Sequence, residues 1–502
     1  MARRGAVPWC ATRQGRVAGR PAPFPSVTEF LGIPYATAPR FGRPHEAEPW
    51  KGVRPAVGYG PTAPQAPYAP PLDALLPQHT VPGAPGESCL NLNVWTPAAG
   101  PEARLPVLVF VHGGAFTNGS GSLPAYDGGT FARDGVVCVT FNYRLGAEGF
   151  LHLDGVPDNR GLLDQIAALE WVRENIASFG GDPDRVTLFG ESAGAMSIGV
   201  LLATERARGL FRAAILQSGA AHHFLRPASA RLITARLAAK LSVPPTADAF
   251  AAVPGDRLLA AQSELRAEIG ARPDPELWGE AALNMMPFEP VLPELPLPGP
   301  DCGVRLLAGS NREEYRLFLV PTGRLDALPE SKLRATAAAY GPDPDRASAV
   351  YREARPGASP GEVFDALATD WFYRIPAVRL AESVPGAYLY EFAWRSPRLF
   401  RHGDGPGRVL GACHGAELGF VFDRPDHPAY APMLGDRPPA ELADAMHRAW
   451  VAFARTGDPG WAPYDRDTRT TMVFGGGGGS GAASATVRDL RPRERELWDG
   501  LR

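Results

Sequence analysis

The sequence predicts an α/β protein with a large, mostly parallel central sheet flanked by helices. Three observations lead there. Four short apolar segments read as buried strands, an apolar stripe of helical period separates two of them, and a serine sits where a strand passes into a helix.

The first of these segments, residues 105–111, is rich in Val and Leu and ends at His112-Gly113-Gly114, as expected of a strand buried on both faces. Residues 136–142, 185–189 and 213–216 have the same character, each short and closed by a turn or a small residue. Between the second and third, residues 159–179 place Leu162, Leu163, Ile166, Leu169, Val172 and Ile176 on one helical stripe. Strand, helix, strand is the repeating unit of a parallel sheet. Residues 193–203 predict another helix directly after the third strand. From about 225 to 379 the chain is rich in Ala, Arg and Pro and reads as helical insertion, interrupted by a returning strand at 304–308. A late strand at 388–394 and an amphipathic helix at 441–455 complete the set. The glycine run 475–479, continued by Ser480 and Gly481, predicts a mobile loop, because ordering so many glycines costs much backbone entropy.

Length and composition agree with one large domain. The 502 residues are 45% hydrophobic and 21% charged, enough apolar material for a sizeable core. We read residues 1–502 as a single domain with helical insertions at about 225–300 and 315–380. A formal net charge of −3 provides no basic field to attract nucleic acid. Lys occurs only at 51, 240 and 332, a bias toward Arg that we assign to genomic base composition. The five cysteines, at 10, 89, 138, 302 and 413, are widely spaced and form no metal-binding pattern. Arg3 and Arg4 are not followed by the apolar run of a cleaved export signal, and no window of 18 apolar residues reads as a membrane span.

Two motifs carry chemistry. Gly190-Glu191-Ser192-Ala193-Gly194 fits G-x-S-x-G, in which a tight strand-to-helix turn exposes a serine hydroxyl and small neighbours avoid clashes. A plain glycine turn is the ordinary alternative, and the strand before and helix after the pentapeptide argue against it. Some eighty residues earlier, His112-Gly113-Gly114 follows a strand, and paired glycines let bare amides approach an oxygen. With the amide of Ala193, those of Gly113 and Gly114 would make a three-donor oxyanion hole, each donor supplying about 3 kcal/mol to a transition state. The competing reading is a strand-ending turn, and His112 itself is assigned a structural role.

These motifs stand in a longer series: Gly32-Ile33-Pro34-Tyr35-Ala36, Glu87-Ser88-Cys89-Leu90-Asn91-Leu92-Asn93-Val94, Asn142-Tyr143-Arg144-Leu145-Gly146, Asn159-Arg160-Gly161-Leu162-Leu163-Asp164-Gln165, Phe179-Gly180-Gly181-Asp182-Pro183 and Leu216-Gln217-Ser218-Gly219. In content and order the series resembles the type B carboxylesterase family, which includes the cholinesterases and bacterial para-nitrobenzyl esterases. The resemblance spans nearly the whole chain. It implies the α/β-hydrolase fold and a serine carboxylesterase that hydrolyses small to medium esters through an acyl-serine, with no cofactor and no metal.

The family order of the triad is Ser, Glu, His. Its acid falls in Gly309-Ser310-Asn311-Arg312-Glu313-Glu314-Tyr315, where alignment selects Glu314. The usual Asp-Glu-Gly is altered to Glu313-Glu314-Tyr315, so Glu313 remains a rival, and a solvated carboxylate beside Arg312 is the ordinary reading of either. The base follows the acid, which leaves His402, His414, His427 and His447. The segment Cys413-His414-Gly415-Ala416-Glu417 resembles the family's histidine loop and selects His414. His402 and His427 read as solvent-facing, and His447 as a surface or packing residue of a helix. Glu191 and Ser218 match positions that support the triad by hydrogen bonding. Trp278, Met285, Met286 and Phe288 match a stretch that lines the substrate gorge, with core packing as the alternative, and Leu292-Pro293-Glu294 departs from the family there. Cys89 lacks the upstream partner of exported relatives, since Ala63-Pro64-Gln65 occupies that place, which predicts a thiol and a cytoplasmic location. The implied partner is a small-molecule ester, with neither nucleic acid nor membrane involved and a monomer or weak homo-oligomer as the assembly. Acyl or carbamoyl transfer on the same fold, and a non-catalytic binding domain, are the alternatives.

Overall fold

The computed structural model describes residues 8–84, 87–299, 301–403, 405, 407–477 and 481–502. Arg3, Arg4 and the segment 478–480 of the glycine run lie outside the described residues, and with them the readings that rested there. The strands form a large, mostly parallel sheet flanked by helices. The chain divides into two compact units.

The first unit comprises Met1–Pro67, Gln78–Ala214 and His223–Pro296. Its strands in the large sheet are β1 (Arg20–Pro21), β2 (Thr28–Pro34), β3 (Asn91–Thr96), β4 (Leu105–Val111), β5 (Val137–Phe141) and β6 (Gly181–Glu191), in the order β6-β4-β5-β3-β2-β1. β4 pairs in parallel with both β5 and β6, and Val107 stands opposite Val137 on one side and Val186 on the other. β3, β2 and β1 continue as antiparallel strands at the edge. Every residue of β4 after Leu105 is buried, as the unbroken apolar run required. Helix α1 (Arg160–Asn175) buries Leu162, Ile166, Leu169 and Val172, so the stripe in the sequence is its core face. Helices α2 (Ala193–Leu202), α3 (Pro227–Leu241) and α4 (Gly255–Ala271) complete this unit's longer helices.

The matched motifs turn out to hold loops through buried polar contacts. Arg144 grips Asp164 of α1 with two nitrogens, Nε to Oδ2 at 2.8 Å and Nη2 to Oδ1 at 2.7 Å, and its own amide donates to the same carboxylate. Arg160, fully buried, donates to the carbonyls of Ala147, Glu148, Leu151 and Pro157. Buried charges persist only when paired and saturated in this way.

The second unit comprises Tyr68–Pro77, Ile215–His222 and Leu297–Arg502. Most of β7 (Ala213–Gln217) belongs to it, beside β8 (Arg305–Asn311), β9 (Tyr388–Phe392), β10 (Thr471–Phe474) and β11 (Ala485–Val487), in the order β11-β10-β9-β8-β7. β8, β9 and β10 are parallel, with Asn311 opposite Phe392 and Tyr390 opposite Met472, whereas β11 is an antiparallel edge. Its helices include α5 (Glu330–Tyr340), α6 (Pro344–Glu353), α7 (Pro360–Thr369), α8 (Ile375–Ser383) and α9 (Ala440–Thr456). α7 opens with a reciprocal capping box between Ser359 and Glu362. α9 buries Leu442, Met446, Trp450 and Phe453, the apolar face read from the sequence.

Candidate active site

In the first unit, β6 ends at Glu191 and α2 begins at Ala193, leaving Ser192 alone at the bend with φ 55° and ψ −125°. A non-glycine residue rarely holds that conformation, and it persists only where its surroundings enforce it. The enforcement is visible in the clearances. A Cβ added to Gly194 would lie 2.0 Å from the carbonyl oxygen of Val111, and one on Gly190 would lie 2.8 Å from the same atom. Both glycines are therefore obligatory, which explains the spacing of the pentapeptide.

The glycine loop lies against this turn. A Cβ on Gly113 would meet the Glu191 carbonyl at 2.7 Å, the Glu191 carboxylate at 2.8 Å and Ser192 Cβ at 3.0 Å. Gly114 (φ 112°), Ala115 (φ 53°) and Phe116 (φ 59°) then run consecutively at positive φ. Gln65 braces the far end of the loop, its Nε2 donating to Gly119 O and its Oε1 accepting from Gly119 N–H, both at 2.9 Å. Asn118 Nδ2 adds a bond to Ala66 O. The amide of Ala193 is the first of a helix and has no partner within it. Those of Gly113 and Gly114 find no acceptor among the described residues.

His112 stacks on Tyr143 with ring centroids 4.4 Å apart, and its Nδ1 donates to Gly113 O at 2.9 Å. Tyr143 donates its hydroxyl to His112 O. Burial pushes the imidazole down to about 4, so it is neutral and serves the loop as a brace, the structural role read from the sequence. Glu191 is buried beside it.

In the second unit, β8 ends at Asn311 and the chain turns through Arg312-Glu313-Glu314-Tyr315. Glu314 is fully buried. Its Oε1 accepts from Asn311 N–H at 2.7 Å, and its Oε2 lies 2.7 Å from His414 Nδ1. The two are also tied by the His414 amide donating to Glu314 O. Tyr373 and Phe318 pack on the imidazole at 4.8 and 5.9 Å. With Nδ1 bound to the carboxylate, Nε2 is the nitrogen left for proton exchange.

The neighbouring Glu313 faces elsewhere: its Oε2 accepts from Ala412 N–H at 3.0 Å and its Oε1 lies 2.9 Å from Arg395 Nη1. Tyr315, where glycine was expected, has φ −71° and ψ −12°, an ordinary helical conformation that needs no glycine. Its ring packs on Phe318, Phe364, Phe372 and Tyr373.

A second buried carboxylate, Glu417, escaped the sequence reading as a site residue. Asn311 Nδ2 bridges Glu417 Oε2 at 2.6 Å and Cys413 O at 2.7 Å. Gln217 Nε2 donates to Glu417 Oε1, and Trp450 Nε1 donates to Gln217 Oε1. Burial first, and the Glu314 charge second, push the Glu417 carboxyl up. The signal available was an acidic residue in an otherwise apolar segment. Ser218 (φ 51°) donates its amide to Gly309 O, and its buried hydroxyl has no hydrogen-bond partner among the described residues.

The other histidines separate cleanly. His402 is exposed and its Nε2 donates to Val320 O. His427 is half-buried, not simply solvent-facing, because its Nδ1 accepts the Ala429 amide and closes a turn. His447 is buried and donates Nδ1–H to Val421 O. In the first unit, Trp278, Met286 and Phe288 are buried while Met285 is exposed at positive φ. All five cysteines are thiols. Among the described residues no helix is long and apolar enough to cross a membrane.

Residues 6–472 match the model of the carboxylesterase family. The chain is similar to the para-nitrobenzyl esterase of Bacillus subtilis strain 168, 36% identical over 498 residues covering 92% of this chain and 94% of that protein. It is also similar to the phenmedipham hydrolase of Pseudarthrobacter oxydans, 35% identical over 89% of this chain and 91% of that one. Among solved structures, a carboxylesterase of Geobacillus stearothermophilus superimposes with a TM-score of 0.80 at 35% identity, covering 98% of this chain and 99% of that one.

Proposed function

The chain belongs to the carboxylesterase family, and from that premise we propose that Ser192, Glu314 and His414 form its catalytic triad, with Gly113, Gly114 and Ala193 as the oxyanion hole. The protein is a carboxylic ester hydrolase of the α/β-hydrolase fold. In the proposed mechanism His414 Nε2 takes the Ser192 proton as Oγ attacks the ester carbonyl, and Glu314 holds the imidazole and its positive charge. The three amides receive the oxyanion. The alcohol leaves with the proton held on His414, an acyl-serine remains, and water activated by the same imidazole releases the acid. Glu191 and Ser218 are assigned hydrogen-bond support of the histidine and acid, Ser218 through the amide that it donates to Gly309 O on the strand leading to the acid turn.

The observation that carries this reading is the enforced conformation of Ser192, which has no structural use in an ordinary turn and sets a hydroxyl at the start of a helix. The 2.7 Å contact of Glu314 with His414 supports the acid–base assignment. Ser192→Ala is expected to lower ester turnover by about 10⁶ while the fold is retained, the scale of triad-serine removal. An organophosphate label is expected on Ser192, and full activity in the variant would end the proposal.

We place the substrates among small to medium esters, following the para-nitrobenzyl esterase and phenmedipham hydrolase that the chain is similar to. A chain-length series of para-nitrophenyl esters tests this, and product analysis with added alcohols separates hydrolysis from acyl transfer. Residues 1–502 are read as one carboxylesterase domain with insertions at 225–300 and 315–380. A cytoplasmic location, with which the five thiols agree, and a monomer or weak homo-oligomer as the assembly complete the proposal.

A further inference from the structure

Within the second unit, on the side of the acid turn that Glu313 faces, lies a cavity of about 590 Å³. Arg312, Arg316, Arg355, Arg395, Arg408 and Arg491 all contribute to its lining. These six guanidiniums share five carboxylates. Glu391 serves Arg312 and Arg491, Glu494 serves Arg355 and Arg491, and Glu313 serves Arg316 and Arg395. Asp326 and Glu362 both serve Arg408. Of these carboxylates only Glu313 and Glu362 line the cavity themselves, and the third carboxyl of the lining, Asp365, is buried and pushed up to about 7, first by desolvation and then by Glu313, so it is substantially protonated near neutrality.

Donors are left over as a result. Arg395 is 52% exposed, and its only partner among the described residues is Glu313, reached through Nη1. Arg312 spends Nε on Glu391, and its Nη1 and Nη2 have no acceptor among the described residues. Arg491 Nε is buried without a hydrogen bond, its nearest carboxylate oxygen, Glu494 Oε2, being 3.5 Å away. Planar guanidiniums with free N–H pairs match carboxylate and phosphate oxygens in bidentate fashion. We propose that this arginine-lined cavity is a binding site for a small oxyanion carrying two or more carboxylate or phosphate groups.

The site is separable from the ester chemistry and is tested by binding alone. Titration calorimetry with citrate and with pyrophosphate, each against sodium chloride of equal ionic strength, is expected to give saturable one-site binding. The variant Arg312→Gln/Arg395→Gln is expected to bind at least tenfold more weakly, since each lost charged hydrogen bond is worth that much. Neither change strands a buried acid: Glu391 keeps Arg491, and Glu313 keeps Arg316 and the Ala412 amide. Arg395→Gln alone, at the more exposed position, provides the same test should the pair fold poorly. Arg448→Gln, on an exposed residue of α9 paired with Asp444, is expected to bind as the parent does. A preference for citrate assigns a polycarboxylate and a preference for pyrophosphate a phosphate ester, and both support the site. Absence of binding beyond the chloride control, or equal binding by the arginine variants, overturns it.

Discussion

Gly113→Ala drives a wedge between the oxyanion loop and the serine turn. Unlike Gly114, Gly113 is not at positive φ, so alanine meets no conformational penalty there and the perturbation is steric alone. The added methyl would stand 2.7 Å from the Glu191 carbonyl and 3.0 Å from Ser192 Cβ. Restoring ordinary contact of 3.4 Å requires the loop and the turn to part by roughly 0.7 Å at the tighter point. A donor moved that far no longer sits 2.7–3.1 Å from the oxyanion, and losing one donor costs about 3 kcal/mol, or ~10²–10³ in kcat. KM should move little, because the amide acts on charge that appears after binding. Steady-state kinetics on a para-nitrophenyl ester, beside a circular dichroism melt to confirm folding, measure both. A folded Gly113→Ala enzyme with kcat within threefold of the parent would refute the assignment of these amides.

The adjacent glutamates give a paired test. Glu314→Gln should lower kcat by roughly 10²–10⁴ through loss of the imidazolium partner, whereas Glu313→Gln should stay within tenfold, and the reverse ranking would make Glu313 the acid. Asp365 carries a pH signature. Its folded value lies above its unfolded one, so stability is withdrawn as pH rises from about 4 to about 7 and is level beyond, by roughly 4 kcal/mol at most. Desolvation raises that value most, Glu313 and Glu314 add to it, and Arg316 and Arg355 oppose them. Asp365→Asn should therefore be more stable than the parent at pH 8 and lose its advantage at pH 4, and a pH-independent difference in denaturant midpoint would contradict this. Arg144→Met should destabilise by about 3–5 kcal/mol by stranding fully buried Asp164, and adding Asp164→Leu should recover much of the loss; melting temperatures decide.

What the sequence made legible was local. Apolar runs marked β4, β5 and β7, and one period marked α1, because burial on both faces or on one stripe leaves a pattern in neighbouring residues. The serine turn and the glycine loop were legible for a related reason, since clearances near 2 Å admit only glycine. Contacts between distant positions left no such trace. Glu313 and Glu314 are adjacent in the chain, and only Ala412 and His414, about a hundred residues on, separate their roles. Glu417 is held by Asn311 and Gln217, 106 and 200 residues away, and the arginine-lined cavity is assembled from five segments. Half-buried His427 misled for the opposite reason: flanking Asp and Pro suggested exposure, while the ring accepts the Ala429 amide and stands beside Tyr430.

The turn at Ser192 and the loop at Gly113 are fitted to each other across gaps that no methyl group can enter. Any redesign of one is thus a redesign of both. Randomising either alone would yield mostly dead clones that report steric interference and reveal nothing of substrate preference. Libraries aimed at new esters belong instead on side chains that touch neither segment, leaving this interlocked pair as the fixed frame against which selectivity is varied.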